Sequence, residues 1–404
     1  MPRPTVALIV SLDTKAAEAA FLRERIGEAG VGVSVVDFGT REPGFAPDVP
    51  AATLARLGGS TIELLRQRGE RSFALDVMMK GAAAWASAAH ARGAIAGVIA
   101  IGGSGGTAVG TAAMRALPFG VPKVCVSTVA SANVRPYVGI KDVTMINSVV
   151  DFAGVNPISE PILAGAAAAV AAMALATTRP RTSAGQRLIA ATQFGVTTPA
   201  IEMAHALLAE AGFTLVPFHA TGIGGQTMES LIADGFFAAV LDLTTTEWAD
   251  EVVGGSLSAG PTRLEAAARA GIPQVIAPGA LDMVNFFGAA GVPEKFRARR
   301  IHHHNANVAL MRTTADENRE IGRRIAEKLN AATGPVAVFF PLGGVSAIDR
   351  EGQPFFDPEA DRALLESLRA SLRPGIPVHT VEANINDAAF VKAAVNALLA
   401  MIWG

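Results

Sequence analysis

Gly97-Val98-Ile99-Ala100-Ile101-Gly102-Gly103-Ser104-Gly105-Gly106-Thr107 is the stretch whose reading decides the fold. A short apolar run ends in glycines, a serine and a threonine, and an alanine-rich segment of helical character follows. This is the order of a buried strand, a tight turn and a helix start. Glycines at such a turn let backbone N–H groups approach an anion, and the helix end favours negative charge. The stretch lacks the Gly-Lys-Ser/Thr ending of a Walker A loop and is not a G-x-G-x-x-G fingerprint. A turn that needs glycine for backbone shape alone accounts for the same residues, so the motif leaves both readings open.

Outward from it, the same grammar extends in both directions. Residues 6–10 read as a first parallel strand, followed by the turn Ser11-Leu12-Asp13-Thr14-Lys15 and a helix stopped by Gly30. Residues 31–37, 123–127 and 143–146 read as further strands, and 54–68, 73–92 and 108–117 as helices. Residues 159–178 form an alanine-rich helix, and 178–187, polar and broken by proline, read as a linker. Beyond it the order restarts with a strand at 188–192, a helix at 199–211 and a strand at 213–218. Strands follow at 238–243, 274–277, 336–340 and 377–381, and a last helix at 388–403. Glu28-Ala29-Gly30 recurs as Glu210-Ala211-Gly212, and the same displacement lays residues 6–10 onto 188–192. Gly120-Val121-Pro122 likewise resembles Gly271-Ile272-Pro273. The expectation is an α/β fold of two Rossmann-like domains in tandem, residues 1–182 and 183–404, with a ligand cleft between them. Each would be an open parallel sheet, and the last helix could pack back on the first domain.

Composition bounds the function. The chain has 404 residues, half of them hydrophobic and only 17% charged, so it can bury large cores. A formal net charge of −2 gives no support for nucleic-acid binding by a basic surface. The single cysteine, Cys125, lies in an apolar run, which excludes a disulfide within the chain and fits a cytoplasmic location. Residues 6–10 are too short an apolar run for a signal peptide. Residues 161–178 carry no charge, but their alanine content reads as a buried helix rather than a membrane span.

In open parallel sheets ligands bind beyond the carboxyl ends of strands where strand order reverses. In the first half the candidates are therefore Asp13, Thr14 and Lys15, the stretch Gly102, Gly103, Ser104, Gly105, Gly106 and Thr107, and Ser127 with Thr128. A lysine beside a glycine turn suits a polyphosphate, and an aspartate could hold Mg²⁺ through water. A solvated first-turn residue is the plain alternative for Lys15. Arg135, Tyr137, Lys141 and Asp142 could touch a phosphate or base, or simply pack. In the second half, His219-Ala220-Thr221-Gly222-Ile223-Gly224-Gly225-Gln226 has the look of another anion loop. Thr244-Thr245-Thr246-Glu247 holds the place of the glycine stretch. His302-His303-His304 invites a metal reading, although alternation lets only His302 and His304 share a face of a strand. Glu247 with Asp250, and Glu382 with Asp387, are acidic pairs for which a surface position is the default.

Several strings together resemble a largely uncharacterised protein family. They are Ser11-Leu12-Asp13-Thr14-Lys15, residues 101–107, Arg135-Pro136-Tyr137-Val138-Gly139, and residues 219–226. Further ones are residues 242–247, residues 257–264, Met311-Arg312-Thr313-Thr314 and Ile385-Asn386-Asp387. That family includes the N-terminal domain of the tomato mosaic virus resistance protein and is described as an ATP-binding-type domain. The resemblance implies two Rossmann-like subdomains, a nucleotide site involving the first, and self-association as a homo-dimer or higher homo-oligomer. It carries Thr14, Lys15 and residues 102–107 over as nucleotide candidates, with ATP and Mg²⁺ as the expected cofactors.

Three functions are weighed. The first is an ATP- or related nucleotide-binding protein of unnamed reaction. The second is a metal- or anion-dependent enzyme acting on a phosphorylated or carboxylated small molecule, using His219, Glu247, residues 302–304 and Glu382. The third is a non-catalytic oligomeric interaction protein.

Overall fold

A computed structural model describes residues 3–177, 187–305 and 307–404. The expected linker lies outside the described residues except for Arg187. The chain forms two compact units, Met1–Thr182 and Ser183–Gly404.

The first unit alternates strand and helix: β1 (Thr5–Val10), α1 (Ala16–Glu28), β2 (Gly32–Asp37), α2 (Ala51–Leu57), α3 (Ile62–Arg68) and α4 (Arg71–Ala91). It continues with β3 (Gly97–Gly102), α5 (Ser104–Arg115), β4 (Lys123–Ser127), α6 (Arg135–Val138), β5 (Thr144–Asn147) and α7 (Ser159–Thr177). The strands form one parallel sheet in the order β2-β1-β3-β4-β5. Residues alternate between its faces. Val6, Leu8 and Val10 pack with Leu22 and Ile26 of α1 and Leu163 and Val170 of α7, while Ala7 and Ile9 pack with Met78 and Ala82 of α4 and Val109 of α5. Strands buried on both faces read as continuous apolar runs, which is why they were legible. α7 is long and apolar enough to cross a membrane by length and composition, and one of its faces lies in this core.

Two expectations change. The helix behind the glycine stretch begins at Ser104, not residue 108, so Ser104, Gly105 and Gly106 are its first turn. The helix expected over 54–68 is two, broken at Gly58. A Cβ at Gly58 would run into the Val77 carbonyl of α4, and Thr61 caps the second helix by accepting from the Leu64 N–H.

The second unit opens with β6 (Arg187–Gln193), α8 (Thr198–Glu210), β7 (Phe213–His219), α9 (Ile223–Ala233) and β8 (Ala239–Thr244). Next come α10 (Glu247–Val253), α11 (Glu265–Ala270), β9 (Gln274–Gly279), β10 (Met283–Phe287), β11 (Ile301–Asn305) and β12 (Val308–Arg312). It ends with α12 (Ala315–Asn330), β13 (Val336–Pro341), α13 (Pro358–Ser371), β14 (Val378–Val381) and α14 (Ala388–Trp403). Its parallel sheet runs β14-β13-β9-β8-β6-β7. The order β7-β6-β8-β9 matches β2-β1-β3-β4, which is what a duplicated unit leaves behind. The last helix takes its place in this unit's own core, where Phe390, Val391 and Leu398 lie with Ile189 and Leu241.

A three-stranded antiparallel sheet, β10-β12-β11, was not expected. It contains the histidine run, whose polar sequence carries no strand pattern. Nor were α12 and α13 anticipated, though α12 carries a capping box between Thr314 and Glu317.

Candidate anion site at the switch point of the first sheet

β1 pairs with β2 on one side and β3 on the other, and the α2–α4 segment carries the chain from β2 across to β3. Strand order therefore reverses between β1 and β3, and a crevice opens beyond their carboxyl ends. A cavity of about 1080 Å³ lies there. Its lining includes Asp13, Thr14 and Lys15 from the β1 turn, Gly103, Ser104, Gly105 and Gly106 from the β3 turn, and Thr128 after β4. Of the residues singled out in the sequence, these eight come together.

Gly102, Thr107 and Ser127 do not line it. They stand behind the cavity and hold its wall. Thr107 Oγ1 donates to the Gly103 carbonyl at 2.9 Å and lies 2.6 Å from Ser127 Oγ. A Cβ on Gly102 would stand 2.9 Å from Gly106 Cα, and one on Gly106 would stand 2.8 Å from the Ile101 carbonyl oxygen. One on Gly110 would run into Ala100. These three glycines let α5 lie close on its own strand, the packing role of the third glycine in dinucleotide turns. Gly103 and Gly105 differ. The nearest atom to a Cβ on Gly103 would be Thr128 Oγ1 at 3.5 Å, and one on Gly105 would meet Leu75 at 3.3 Å and Arg71 Nη2 at 3.5 Å. Both readings of the stretch thus hold, each for different glycines.

Three helices begin at this cavity: α1 after Lys15, α4 at Arg71, and α5 at Ser104. None has a side-chain cap. Each helix start leaves backbone N–H groups without intrahelical acceptors and carries a partial positive charge. Two of the three add a cation, Lys15 and Arg71, where cations are disfavoured.

The cavity also takes Arg41, Arg66, Glu42, Glu70 and Asp151. Several of its charges are already engaged. Asp13 accepts from Ser11 Oγ at 2.5 Å and from the Arg41 N–H at 3.2 Å. Arg66 donates to the Thr40 carbonyl at 2.5 Å and pairs with Glu42 at 3.7 Å. Glu70 accepts from Ser72 Oγ. Lys15 reaches Thr14 Oγ1 at 3.3 Å, with its ammonium 6.0 Å from the centre of the Phe152 ring. Asp37, just behind, accepts from the Leu12 and Gly39 N–H groups. Burial pushes its pKa up, and those two donors oppose the rise. Phe38, Leu65, Leu75 and Met78 give the cavity an apolar wall.

Arg41, Arg71 and this wall escaped sequence reasoning. They belong to loops and helices far along the chain from the glycines, and only the α4 crossover brings them to α5. A basic residue opening a long helix was the one available signal.

The equivalent place in the second unit is filled by the protein itself. Glu247, after β8, accepts from the Gly222 and Gly225 N–H groups at the start of α9, at 2.7 and 3.0 Å, and from Arg263 Nε at 2.7 Å. Arg263 grips Asp242 with two bonds, at 2.6 and 2.9 Å, and reaches Glu229 at 3.2 Å. Burial alone would lower the Arg263 pKa, but Asp242, Glu247 and Glu229 carry it well above the usual range. Thr197 Oγ1 meets Thr244 Oγ1 at 2.8 Å across the gap between the turns after β6 and β8. The loop at 219–226 is an anion loop whose anion is Glu247, not a surface carboxylate as the default had it.

Glu382 is exposed, and the candidates named next are held by neighbours. Asp250 accepts from the Asn285 side chain at 2.7 Å and backbone at 3.0 Å, and burial lifts its pKa to about 7. His219 packs edge-on against Phe194 and His302 against Phe355. Among the described residues no group of His, Cys, Asp or Glu is placed to hold a metal ion. Asp142 binds the buried Lys123 ammonium at 2.8 Å, Arg115 donates to the Tyr137 carbonyl, and Lys141 lies over the Phe119 ring. That segment packs within the first unit.

With this geometry in place, comparison with known proteins identifies relatives. Residues 4–179 match the profile of the uncharacterised protein family (UPF0261) N-terminal domain, and residues 186–402 match its C-terminal domain. The chain belongs to the UPF0261 family. A UPF0261 protein of Clostridium tetani is 47% identical over 399 residues, covering 98% of each chain. The ToMV resistance protein Tm-1(GCR237) of Solanum lycopersicum is 39% identical over 420 residues, covering 98% of this chain and 55% of that protein. The chain thus spans about half the length of this tomato relative. Among solved structures, a putative UDP-N-acetylglucosamine 2-epimerase from Listeria monocytogenes aligns over 100% of this chain and 96% of its own, at 12% identity and a TM-score of 0.24. The glycosyltransferase SnogD from Streptomyces nogalater aligns over 99% of both chains at 13% identity and a TM-score of 0.21. In this UPF0261 chain each of the two matched domains corresponds to one parallel-sheet α/β unit.

Proposed function

We propose that the first unit binds the phosphates of a nucleotide, ATP or a close relative, in the cavity between the β1 and β3 turns. The observation that carries this is the meeting of three uncapped helix starts with Lys15 and Arg71 in one cavity at the sheet's switch point. These helix starts and cations are stabilised by an anion of several charges. The volume of the cavity and its wall of Phe38, Leu65, Leu75 and Met78 favour a ligand with an apolar portion, such as a nucleobase, over inorganic phosphate. Mg²⁺ would ride on the phosphates, with Asp13 or Asp151 reaching it through water, as that ion keeps most of its hydration shell. The reading rests on the first unit, because the second unit supplies its own anion in Glu247.

Titration calorimetry of the full chain with ATP and Mg²⁺ tests it. Binding is expected in the wild type. Lys15→Ala should weaken it by about tenfold, the usual worth of one charge-assisted bond. Gly103→Val should abolish it, since the side chain would enter the cavity at a position whose backbone tolerates it. No heat from the wild type, or full affinity in both variants, would sink the proposal.

A further inference from the structure

We propose that Arg41 and Arg71 are the arms that fix the class of ligand in this cavity, and that they select linked phosphates over a single phosphate or carboxylate. The inference rests on the anion reading above and deepens it.

The cations of the cavity are not equivalent. Arg66 is already spent on the Thr40 carbonyl and Glu42. Lys15 lies beside Thr14 and Phe152. Among the described residues the guanidinium groups of Arg41 and Arg71 have no hydrogen-bond or ion-pair partner. Each is nonetheless positioned. The Arg41 backbone, in the loop after β2, is tied by its N–H to Asp13, so its side chain leaves from beside the β1 turn. Arg71 is the first residue of α4, and its Nη2 lies 3.5 Å from where a Cβ on Gly105 would stand, over the first turn of α5.

One phosphate could be held by the first-turn N–H groups of α5 together with Lys15. Two further guanidinium groups in the same cavity then have no carboxylate within ion-pair distance, although Glu70 and Asp151 also line it, and the like charges gathered there repel one another. Guanidinium forks bind phosphate oxygens in bidentate fashion, so each arm is suited to its own phosphate. A diphosphate or triphosphate chain supplies the matching number of anionic oxygens, whereas a lone phosphate or carboxylate leaves one arm unmatched.

The second unit shows what happens when this demand is met internally. There Arg263 has three carboxylate partners, Asp242, Glu247 and Glu229, and the α9 start shares one of them. No carboxylate of the first unit does this for Arg41 or Arg71. The first unit leaves these two cations open while its counterpart neutralises its own.

Calorimetry on the full chain with ATP, AMP, inorganic tripolyphosphate and inorganic phosphate tests this, using the wild type, Arg41→Ala, Arg71→Ala and Arg71→Lys. ATP and tripolyphosphate should bind the wild type at least tenfold more tightly than AMP and inorganic phosphate. Each alanine variant should lose about 10- to 100-fold for ATP and tripolyphosphate, and less than about threefold for AMP. Arg71→Lys should recover only part of the loss, because an ammonium lacks the fork. Both arginines are exposed, so melting temperatures without ligand should stay close to that of the wild type. Wild-type binding of ATP that survives both alanine variants unchanged overturns this inference and leaves the nucleotide reading standing. Equal losses for ATP and AMP overturn the selection of linked phosphates. Failure of every probe to bind the wild type overturns both.

Discussion

Glu247 shows how far a single residue's role depends on burial. In the sequence it follows three threonines and has the composition of a solvated helix start. In the fold it is buried with Arg263, and the α9 amides close around it. Removing one partner of such a pair leaves an uncompensated charge and costs about 3–5 kcal/mol. Asp242 and Glu229 still hold Arg263 after Glu247→Ala, so the expected loss is about 3 kcal/mol, near the lower end of that range. Denaturant unfolding measures it, and a loss within experimental scatter would show that the pair contributes nothing. A second residue-scale case is Asp349, which with Asp361 shares Arg312 at 3.3 and 2.7 Å. Burial, with Asp282 and Asp361 close by, lifts the Asp349 pKa to about 9. A carboxyl whose folded pKa lies above its unfolded value favours the folded state only while protonated. This contribution is full below the unfolded value near 4 and is lost as the pH rises towards 9. Asp349→Asn keeps an acceptor for Arg312 and removes the titration. Between pH 5 and 9 its stability should fall less steeply than that of the wild type, as read by denaturant unfolding at several pH values. Parallel profiles would contradict the assignment.

At the scale of elements, the glycines of the β3–α5 turn divide into two sets that mutation can separate. Gly106→Ala and Gly110→Val force a side chain against the Ile101 carbonyl and against Ala100. They should lower stability by about 1–3 kcal/mol, the usual cost of overpacking, and calorimetric melting would register it. Gly103→Val should leave melting of the free protein nearly unchanged. The central strands of both sheets, β1, β3, β4, β8, β9 and β13, were legible because doubly buried strands are unbroken apolar runs. The start of α5 was not, because Ser104, Gly105, Gly106 and Thr107 are poor helix formers and only packing against β3 holds them in a helix. The same limit hid the break at Gly58, where a close approach to α4 decides the matter. The sheet formed by β10, β11 and β12 was missed because Ile301, His302 and His303 pair with Met311, Leu310 and Ala309 by register, not by an alternating pattern of their own.

Across the whole molecule, two units share a strand order and differ in what occupies their switch points. The turns after β1 and β3 were named from sequence as a candidate site, because strand ends and glycines are local signals. Arg41, Arg71 and the apolar wall were not, since they reach the cavity only through the fold. If the first unit alone takes the ligand, hydrogen exchange with ATP and Mg²⁺ should slow at residues 11–15, 69–75 and 103–107. Residues 219–226, already closed on Glu247, should exchange as before. Protection of the second loop instead would reverse the division between the units. Self-association, implied by the family resemblance, predicts a mass of at least a dimer by light scattering, and a monomer at high concentration would refute it.

The central claim is a place for phosphate, and a crystal structure of the full chain grown with ATP and Mg²⁺ tests it most directly. The account predicts phosphate oxygens within hydrogen-bond distance of the N–H groups of Ser104, Gly105 and Gly106, with Lys15 and Arg71 closed upon them. Nucleotide bound elsewhere, with this cavity holding only solvent, would contradict it.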